Sequence, residues 1–367
     1  MDEELTRQTS HRIHAGDARD LAALDDDSVD LVVTSPPYPM VEMWDDLFAD
    51  LAPDVDAYLD AGKGEAAFEA MHGALDDVWD ELERVVAPGG IVCVNVGDAT
   101  RTVDGQFRVY PNHSRITTAF ERRDFDPMPD ILWHKPTNSA AKFMGSGMLP
   151  PNAYVTLEHE HILVFRNGGR REFEPGADRR YEAAYFWEER NRWFTDIWSE
   201  VRGRLQDLDD GDLRDRAAAF PFEIPYRLCS MFSAYGDTVL DPFWGTGTTT
   251  LAAMVAGRNS VGYERDAAFV DHFADRVEDV PDISRDVATE RLQSHLDFVA
   301  DRADSGTQPD YESEYYEFPV MTSQEETLRL YVVDDVSRDS SAAAATEYSL
   351  RHRPAELTVS VDGLDPE

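Results

Sequence analysis

The sequence predicts an α/β fold: a mostly parallel, twisted sheet with helices on both faces. Three observations carry this. Apolar runs of strand length alternate with amphipathic stretches of helix length. The run at 29–33 (VDLVV) is cut off by Ser35-Pro36-Pro37-Tyr38. A second run, at 238–240, gives way to a glycine turn and then a helix-like stretch.

Taken in order, residues 12–16 (RIHAG) read as a short strand turning at Gly16-Asp17, and 18–24 as a short helix. Residues 29–33 form a buried strand. Two consecutive prolines cannot continue a ladder, because each lacks an N–H and fixes φ. The backbone therefore leaves the sheet there as a stiff corner. Residues 41–63 are acidic and irregular, with scattered aromatics. Residues 66–86 read as a long amphipathic helix, with Phe68, Met71, Leu75, Val78, Trp79, Leu82 and Val85 at helical spacing. Pro88-Gly89-Gly90 ends it ahead of a buried strand at 91–96. A helix at 115–123 and strands at 130–134 and 162–166 follow. Residues 167–219 are polar and arginine-dotted, with Trp187, Trp193 and Trp198. Then come a helix at 224–232, a strand at 238–240, a helix at 248–256, a strand at 260–263 and a helix at 267–277. One more helix (286–302) precedes strand-like runs at 328–333 and 357–361. The expected division is a domain of residues 1–284, with a segment at about 166–219 inserted, and a C-terminal extension, 285–367, without an assigned role.

The chain has 367 residues, enough for a sizeable core, and 73 acids against 34 bases, for a net charge of −39. Only three of the bases are lysines (Lys63, Lys135, Lys142). Acid spread over every predicted helix, with lysine nearly absent, points to a protein adapted to high salt, where carboxylates keep the surface hydrated and screening removes their repulsion. No apolar run is long enough to span a membrane, and the polar start, MDEELTRQTS, does not read as a signal peptide. Two cysteines in apolar surroundings, Cys93 and Cys229, suit a reducing cytoplasm. The chain spacing holds no paired CxxC, and His159-Glu160-His161 is too tight for a helical i, i+4 metal site.

Two stretches carry chemistry. At the Ser35 corner, a hydroxyl and a free proline carbonyl flank a stacking ring, an arrangement suited to a planar base bearing an exocyclic amine. At Asp241-Pro242-Phe243-Trp244-Gly245-Thr246-Gly247-Thr248-Thr249, a strand ends in a Gly-x-Gly turn that opens a helix. Glycines let the backbone turn tightly and let a ligand approach it. Glu264, at the end of the next strand, stands where an acid accepts hydrogen bonds from ribose hydroxyls. The turn lacks the full GxGxxG spacing and the P-loop lysine. That argues for a nucleoside cofactor without phosphates, and S-adenosyl-L-methionine fits.

At this point the residues resemble the exocyclic-amine DNA methyltransferases, in particular their permuted beta group. In that family the corner reads (S/T/D)-P-P-(Y/F/W) and the cofactor loop DPFxGxGT; here they stand as SPPY and DPFWGTGTT, in the beta-group order. Weaker pieces follow the same order over residues 10–280. Gly16-Asp17-Ala18 resembles the loop on the cofactor adenine. Trp133-His134-Lys135-Pro136 resembles the loop beside the flipped base. The segment 220–225, with Phe222, resembles the one closing the methionine end. The resemblance implies a Rossmann-like S-adenosylmethionine-dependent methyltransferase fold with circularly permuted motifs, so that 1–284 is the catalytic domain. It implies Ser35, Pro36, Pro37 and Tyr38 as catalytic residues. It implies Asp17, Thr34, Phe222, Asp241, Pro242, Phe243, Gly245, Gly247, Thr248, Thr249 and Glu264 as cofactor-binding. No metal is implied.

The implied partner is double-stranded DNA, with a cognate restriction endonuclease as a further candidate, and the chain is expected to act as a monomer or homodimer. Residues 101–204 hold 16 Lys/Arg against 15 Asp/Glu, while the rest of the chain holds 18 against 58. Lys135, Arg166, Arg170, Arg171, Arg179, Arg180, Arg190 and Arg192, with Arg202 and Arg204, lie where this group places target recognition and are expected to contact DNA. Serine at the first motif position leans toward cytosine N4. Adenine N6, an RNA substrate, or a DNA-binding relative without activity stay open. Cytosine C5 chemistry needs a Pro-Cys nucleophile, whereas Cys93 and Cys229 sit within a strand and a helix. The acid-rich composition is similar to that of solitary cytosine-N4 methylases of haloarchaea acting on CTAG, which implies a halophilic archaeal source and that site.

Overall fold

The structure, a computed structural model, describes residues 6–135, 144–201, 220–307, 309–339 and 345–356. The expected strand at 357–361, together with Pro136, Arg202 and Arg204, lies outside them.

In chain order, strands β1 (Arg7–Ala15) and β2 (Val29–Thr34) come first. A 3-10 turn (Glu42–Trp44) and helices α1 (Asp45–Leu51), α2 (Asp54–Asp60) and α3 (Gly64–Val85) lead to β3 (Val86–Val96). A hairpin, β4 (Ala99–Val103) and β5 (Gln106–Tyr110), precedes α4 (Asn112–Glu121) and β6 (Phe125–His134). Short strands β7 (Met144–Gly145) and β8 (Ala153–Tyr154) precede β9 (His159–Asn167). Next come α5 (Asp178–Tyr181), α6 (Trp187–Trp193), β10 (Ile197–Trp198), α7 (Glu223–Phe232), β11 (Thr238–Asp241), α8 (Thr248–Val255) and β12 (Asn259–Glu264). Helices α9 (Ala267–Glu278) and α10 (Val280–Asp304) lead to β13 (Tyr311–Glu312), β14 (Pro319–Val320), β15 (Tyr331–Asp339) and β16 (Ala345–Pro354).

Ten strands make one sheet in the order β10-β6-β9-β3-β2-β11-β12-β1-β16-β15. The central run β3-β2-β11-β12-β1 is parallel throughout; β9 joins β3, and β16 joins β1, in antiparallel sense. Alternation along each strand fills two cores. Leu31, Val33, Cys93, Ile162, Val164 and Val239 enter one with α7 to α10. Val32, Val92, Val94, Leu163, Phe165 and Leu240 enter the other with α1 to α4. Strands buried on both faces read as apolar runs, which is why they were visible in sequence. The apolar face of α3 is buried from Phe68 to Val85, each large side chain contributing about 1.5–3 kcal/mol.

The chain leaves β2 through α1–α3 toward β3 on one side, and leaves β11 through α8 toward β12 on the other. Right-handed crossovers running in opposite directions need opposite faces. The helices therefore part above the carboxyl ends of β2 and β11, and a crevice opens at that switch point.

Two local expectations are corrected. Residues 18–24 are turns: the Asp17 and Asp20 side chains accept from the N–H groups of Arg19 and Ala22, so they compete with a helix. Residues 42–60 are helical rather than irregular, burying Phe48 and Val55. The fold also continues past 284: residues 284 and 285 lie inside α10, and β16 pairs along β1 from His14 to Arg7. No helix among the described residues is long and apolar enough to cross a membrane.

Candidate active site

A cleft of about 800 Å³ occupies the switch point. It is lined by Ser35, Pro36, Pro37 and Tyr38 after β2; by Asp241, Pro242, Phe243, Gly245, Thr248 and Thr249 after β11; by Glu264 after β12; and by Asp17 after β1. The two stretches singled out in the sequence, some 200 positions apart along the chain, thus face one another.

The glycine turn is built from backbone requirements. Gly245 and Gly247 both have positive φ, 53° and 78°. They differ in what a side chain would meet. A Cβ on Gly247 would lie 2.5 Å from Phe273 and 2.6 Å from Trp244, whereas one on Gly245 has no atom nearer than 3.9 Å and opens into the cleft. Gly247 serves packing; Gly245 keeps the backbone bare for a ligand. Glu264 braces the turn: its carboxylate oxygens accept from the Gly245 N–H and the Asp266 N–H, each at 2.8 Å. Burial pushes its carboxyl above the ordinary value.

Thr34 is buried and lies behind the cleft wall. Its hydroxyl donates to Asp241 Oδ1 at 2.7 Å, so it acts through that carboxylate. Burial pushes Asp241 up to about 6, against hydrogen bonds from Thr249, Thr34 and the Phe243 N–H. Asp17 is clamped by Arg19 and lies near Arg265; although burial opposes them, these hydrogen bonds and charges hold its carboxyl below the ordinary value. Phe222 does not line the cleft. It stacks on Tyr226 at 5.5 Å, and Phe220, two residues earlier, takes the place at the wall.

At the corner, Tyr38 Oη lies 3.1 Å from Ser35 Oγ, donates to Glu160 Oε2 at 3.0 Å and accepts from Asn95 Nδ2 at 2.9 Å. Burial and the neighbouring Glu160 hold the phenol well above its ordinary value. Lys135 donates to Glu160 Oε1 at 2.9 Å. Sequence reasoning missed Asn95 and Glu160. Asn95 breaks the apolar run of β3, which is the signal that could have found it. The wall of Met43, Trp44, Asp46, Leu47, Asp50 and Leu51 was also missed. Its signal was Trp44, Phe48, Leu51, Val55 and Leu59 at helical spacing.

The arginines divide. Arg171 and Arg179 both donate to Asp237, whose side chain is fully buried just before β11, so they lie at the end of the sheet away from the cleft. Arg166, near the end of β9, pairs with Asp126 at that same end. Arg170 adjoins Arg171 in the chain, and Arg180 lies over Phe173, with Arg171 and Arg179 over the same ring. Arg166, Arg171 and Arg179, expected to contact DNA, thus have their charge matched by carboxylates at the end of the sheet away from the cleft. Arg190 and Arg192 are exposed on α6, with Arg192 3.6 Å from Glu200. Trp193 and Trp198 are core residues, and Trp187 is partly exposed.

Next to the corner, Asp98, His113 and His161 bring possible metal-ligand atoms within 4.8 Å of one another, a cluster that chain spacing did not announce. The two rings, however, are stacked at 4.2 Å and 14°. Imidazole lone pairs lie in the ring plane, so near-parallel rings do not converge on one ion. His113 instead donates to Asp98 at 2.8 Å, and that bond raises its pKa.

An α/β sheet with a glycine-turn cleft and a hydroxyl–proline–aromatic corner at its switch point defines a Rossmann-like S-adenosylmethionine-dependent methyltransferase. The family model for DNA methylases acting on N6 and N4 amines matches residues 29–275, and the chain belongs to that family. It is 49% identical over 327 residues to the type II methyltransferase M.MthZI of Methanothermobacter thermautotrophicus, covering 88% of this chain and 91% of that one. It is 51% identical over 269 residues to M.MjaI of Methanocaldococcus jannaschii, covering 70% and 88%. A DNA modification methylase of Thermus thermophilus, solved with S-adenosyl-L-methionine, superposes with a TM-score of 0.58 at 33% identity, covering 74% of this chain and 95% of that one. This chain is therefore a DNA methyltransferase whose cofactor is S-adenosyl-L-methionine. The open cradle at Gly245, the buried Asp241 and the braced Glu264 fit that cofactor.

Proposed function

We propose that the protein methylates the exocyclic N4 amine of a cytosine flipped out of duplex DNA. One observation carries the reading: Ser35 and Pro36 line the same cleft as the Gly245 turn, at the ends of adjacent parallel strands. S-adenosyl-L-methionine supplies an electrophilic methyl group. The amine is a poor nucleophile because its lone pair is delocalised into the ring. Ser35 Oγ and the Pro36 carbonyl accept its two N–H groups, draw the nitrogen toward sp³ geometry and localise that pair. Pro37 stiffens the corner, and the Tyr38 ring stacks on the base. Positioning then supplies most of the acceleration, with electrostatic stabilisation of the developing ammonium. The target atom is out of reach in a stacked duplex, so the base is extruded.

Glu264 accepts from the ribose hydroxyls, Asp241 faces the methionine ammonium, and Asp17 stands at the adenine end. Phosphate contacts are assigned to Lys135, Arg190 and Arg192. The segment 166–219 carries target recognition, and the catalytic residues lie within 1–284, which fold together with β15 and β16. Serine rather than aspartate at position 35 supports cytosine over adenine N6. The compositional resemblance is the ground for CTAG as the site, and the two buried cysteines are in keeping with a cytoplasmic location; the enzyme is taken as solitary or restriction-paired, and as monomer or homodimer.

The test is nucleoside mass spectrometry after incubating the protein with methyl-labelled S-adenosyl-L-methionine and CTAG-containing duplex DNA. Label in N4-methylcytosine is expected. Label confined to N6-methyladenine overturns the base assignment.

A further inference from the structure

Ser35 can serve as an acceptor only if its own proton points away from the substrate. Hydroxyls rotate freely, so something must set that direction. The hydrogen-bond count behind the corner sets it. Glu160 is a carboxylate on β9 with a side chain 13% exposed, and Lys135 stands against its other oxygen at 2.9 Å. An ionised carboxylate accepts only. The Tyr38 proton is therefore committed to Glu160 Oε2, at 3.0 Å. Asn95 Nδ2 donates to both Tyr38 Oη, at 2.9 Å, and Glu160 Oε2, at 2.7 Å. The reverse orientation of that amide would press its oxygen against the carboxylate. With its one proton given to Glu160 and one lone pair taken by Asn95, Tyr38 Oη has room for one further donor. That donor is Ser35, at 3.1 Å.

We propose that Glu160 is a positioning residue that, through Tyr38, orients the Ser35 hydroxyl so that its lone pairs face the target amine. The Lys135–Glu160 ion pair and Asn95 maintain this polarity. Gly97 leaves space for it: a Cβ there would lie 3.2 Å from the Tyr38 ring and 3.4 Å from Glu160. The inference rests on the reading that Ser35 meets the exocyclic amine. It assigns a direction to the corner that the motif letters do not contain.

The test is a double-mutant cycle on the full chain, read as kcat for methyl transfer and KM for S-adenosyl-L-methionine. Glu160→Gln places an amide donor beside Tyr38, so the chain of bonds can reverse and turn the Ser35 proton toward the amine. We expect kcat to fall about tenfold or more, with KM for the cofactor unchanged. In a Ser35→Ala background, Glu160→Gln should cost nothing further, because there is no hydroxyl left to orient. A merely structural Glu160 would give losses that multiply. Wild-type kcat in Glu160→Gln, or multiplicative losses in the double variant, would overturn the proposal. Tyr38→Phe, which keeps the ring and removes Oη, provides the same cycle if Glu160→Gln does not fold. Absence of methyl transfer to any exocyclic amine by the wild-type protein would instead overturn the proposed function.

Discussion

Asp241 is placed at a cost that the bound ligand offsets. Its folded value of about 6 lies above that of an unfolded aspartate, so the protonated form favours the ligand-free fold. That contribution is complete below about pH 4, is lost as pH rises through about 6, and amounts to about 3 kcal/mol. Asp241→Asn is therefore expected to raise the melting temperature of the ligand-free protein at pH 8, with no gain near pH 4. It should also weaken S-adenosyl-L-methionine binding and abolish the tightening expected of the wild type between pH 5 and pH 7. Calorimetry and cofactor titration over that range check both. The two glycines separate in the same way. Gly247→Ala should destabilise the fold, because Phe273 and Trp244 occupy the space its Cβ needs. Gly245→Ala should cost about 1 kcal/mol of backbone strain and lose cofactor affinity, because the new methyl enters the cleft. Thermal melts alongside cofactor titration distinguish them. The sequence named both glycines alike, since letters report the need for positive φ and not what surrounds it.

At the scale of elements, the site depends on which end of the sheet a residue reaches. Arg171 and Arg179 close over Asp237 at the amino ends of the parallel strands, while Arg190 and Arg192 ride on α6. Alanine at 171 and 179 should leave DNA affinity nearly unchanged and cost about 3–5 kcal/mol of stability, because a buried carboxylate loses its partners. Alanine at 190 and 192 should weaken DNA binding and lower its salt slope by about two. Filter binding across a salt series, with parallel denaturation curves, checks the contrast. The strands and α3 were legible because burial on both faces, or along a stripe, imposes a period. The helices at 42–60 were not, because acids crowd their outer face and mask the buried residues. The turns at 18–24 were misread because composition does not report which N–H an aspartate side chain will take. A chain ending at residue 284 tests the proposed division. Tyr348 and Leu350 pack in the same core as Ile13 and Phe273, so we expect the truncated chain to lose cooperative folding.

For the whole molecule, the net charge of −39 implies self-repulsion in dilute buffer. The two type II methyltransferase relatives named above come from thermophilic archaea and do not support a halophilic source. The high-salt proposal therefore rests on composition. It predicts a melting temperature that keeps rising from about 0.1 M to molar potassium chloride, beyond the range in which Debye screening saturates; a plateau at low salt would remove it. What the sequence determined by itself was local and periodic: strands that bury both faces, the stiff SPPY corner, the DPFWGTGTT turn and the acid on the next strand. Their chemistry is fixed by residue type over a few positions. Only the tertiary structure decided which of them share a cleft and which charges are already matched. It also decided that Asn95, Glu160 and Lys135, from three separate strands or their ends, converge behind Tyr38. Those outcomes depend on strand order and register, and residues far apart in the chain carry no local sign of meeting.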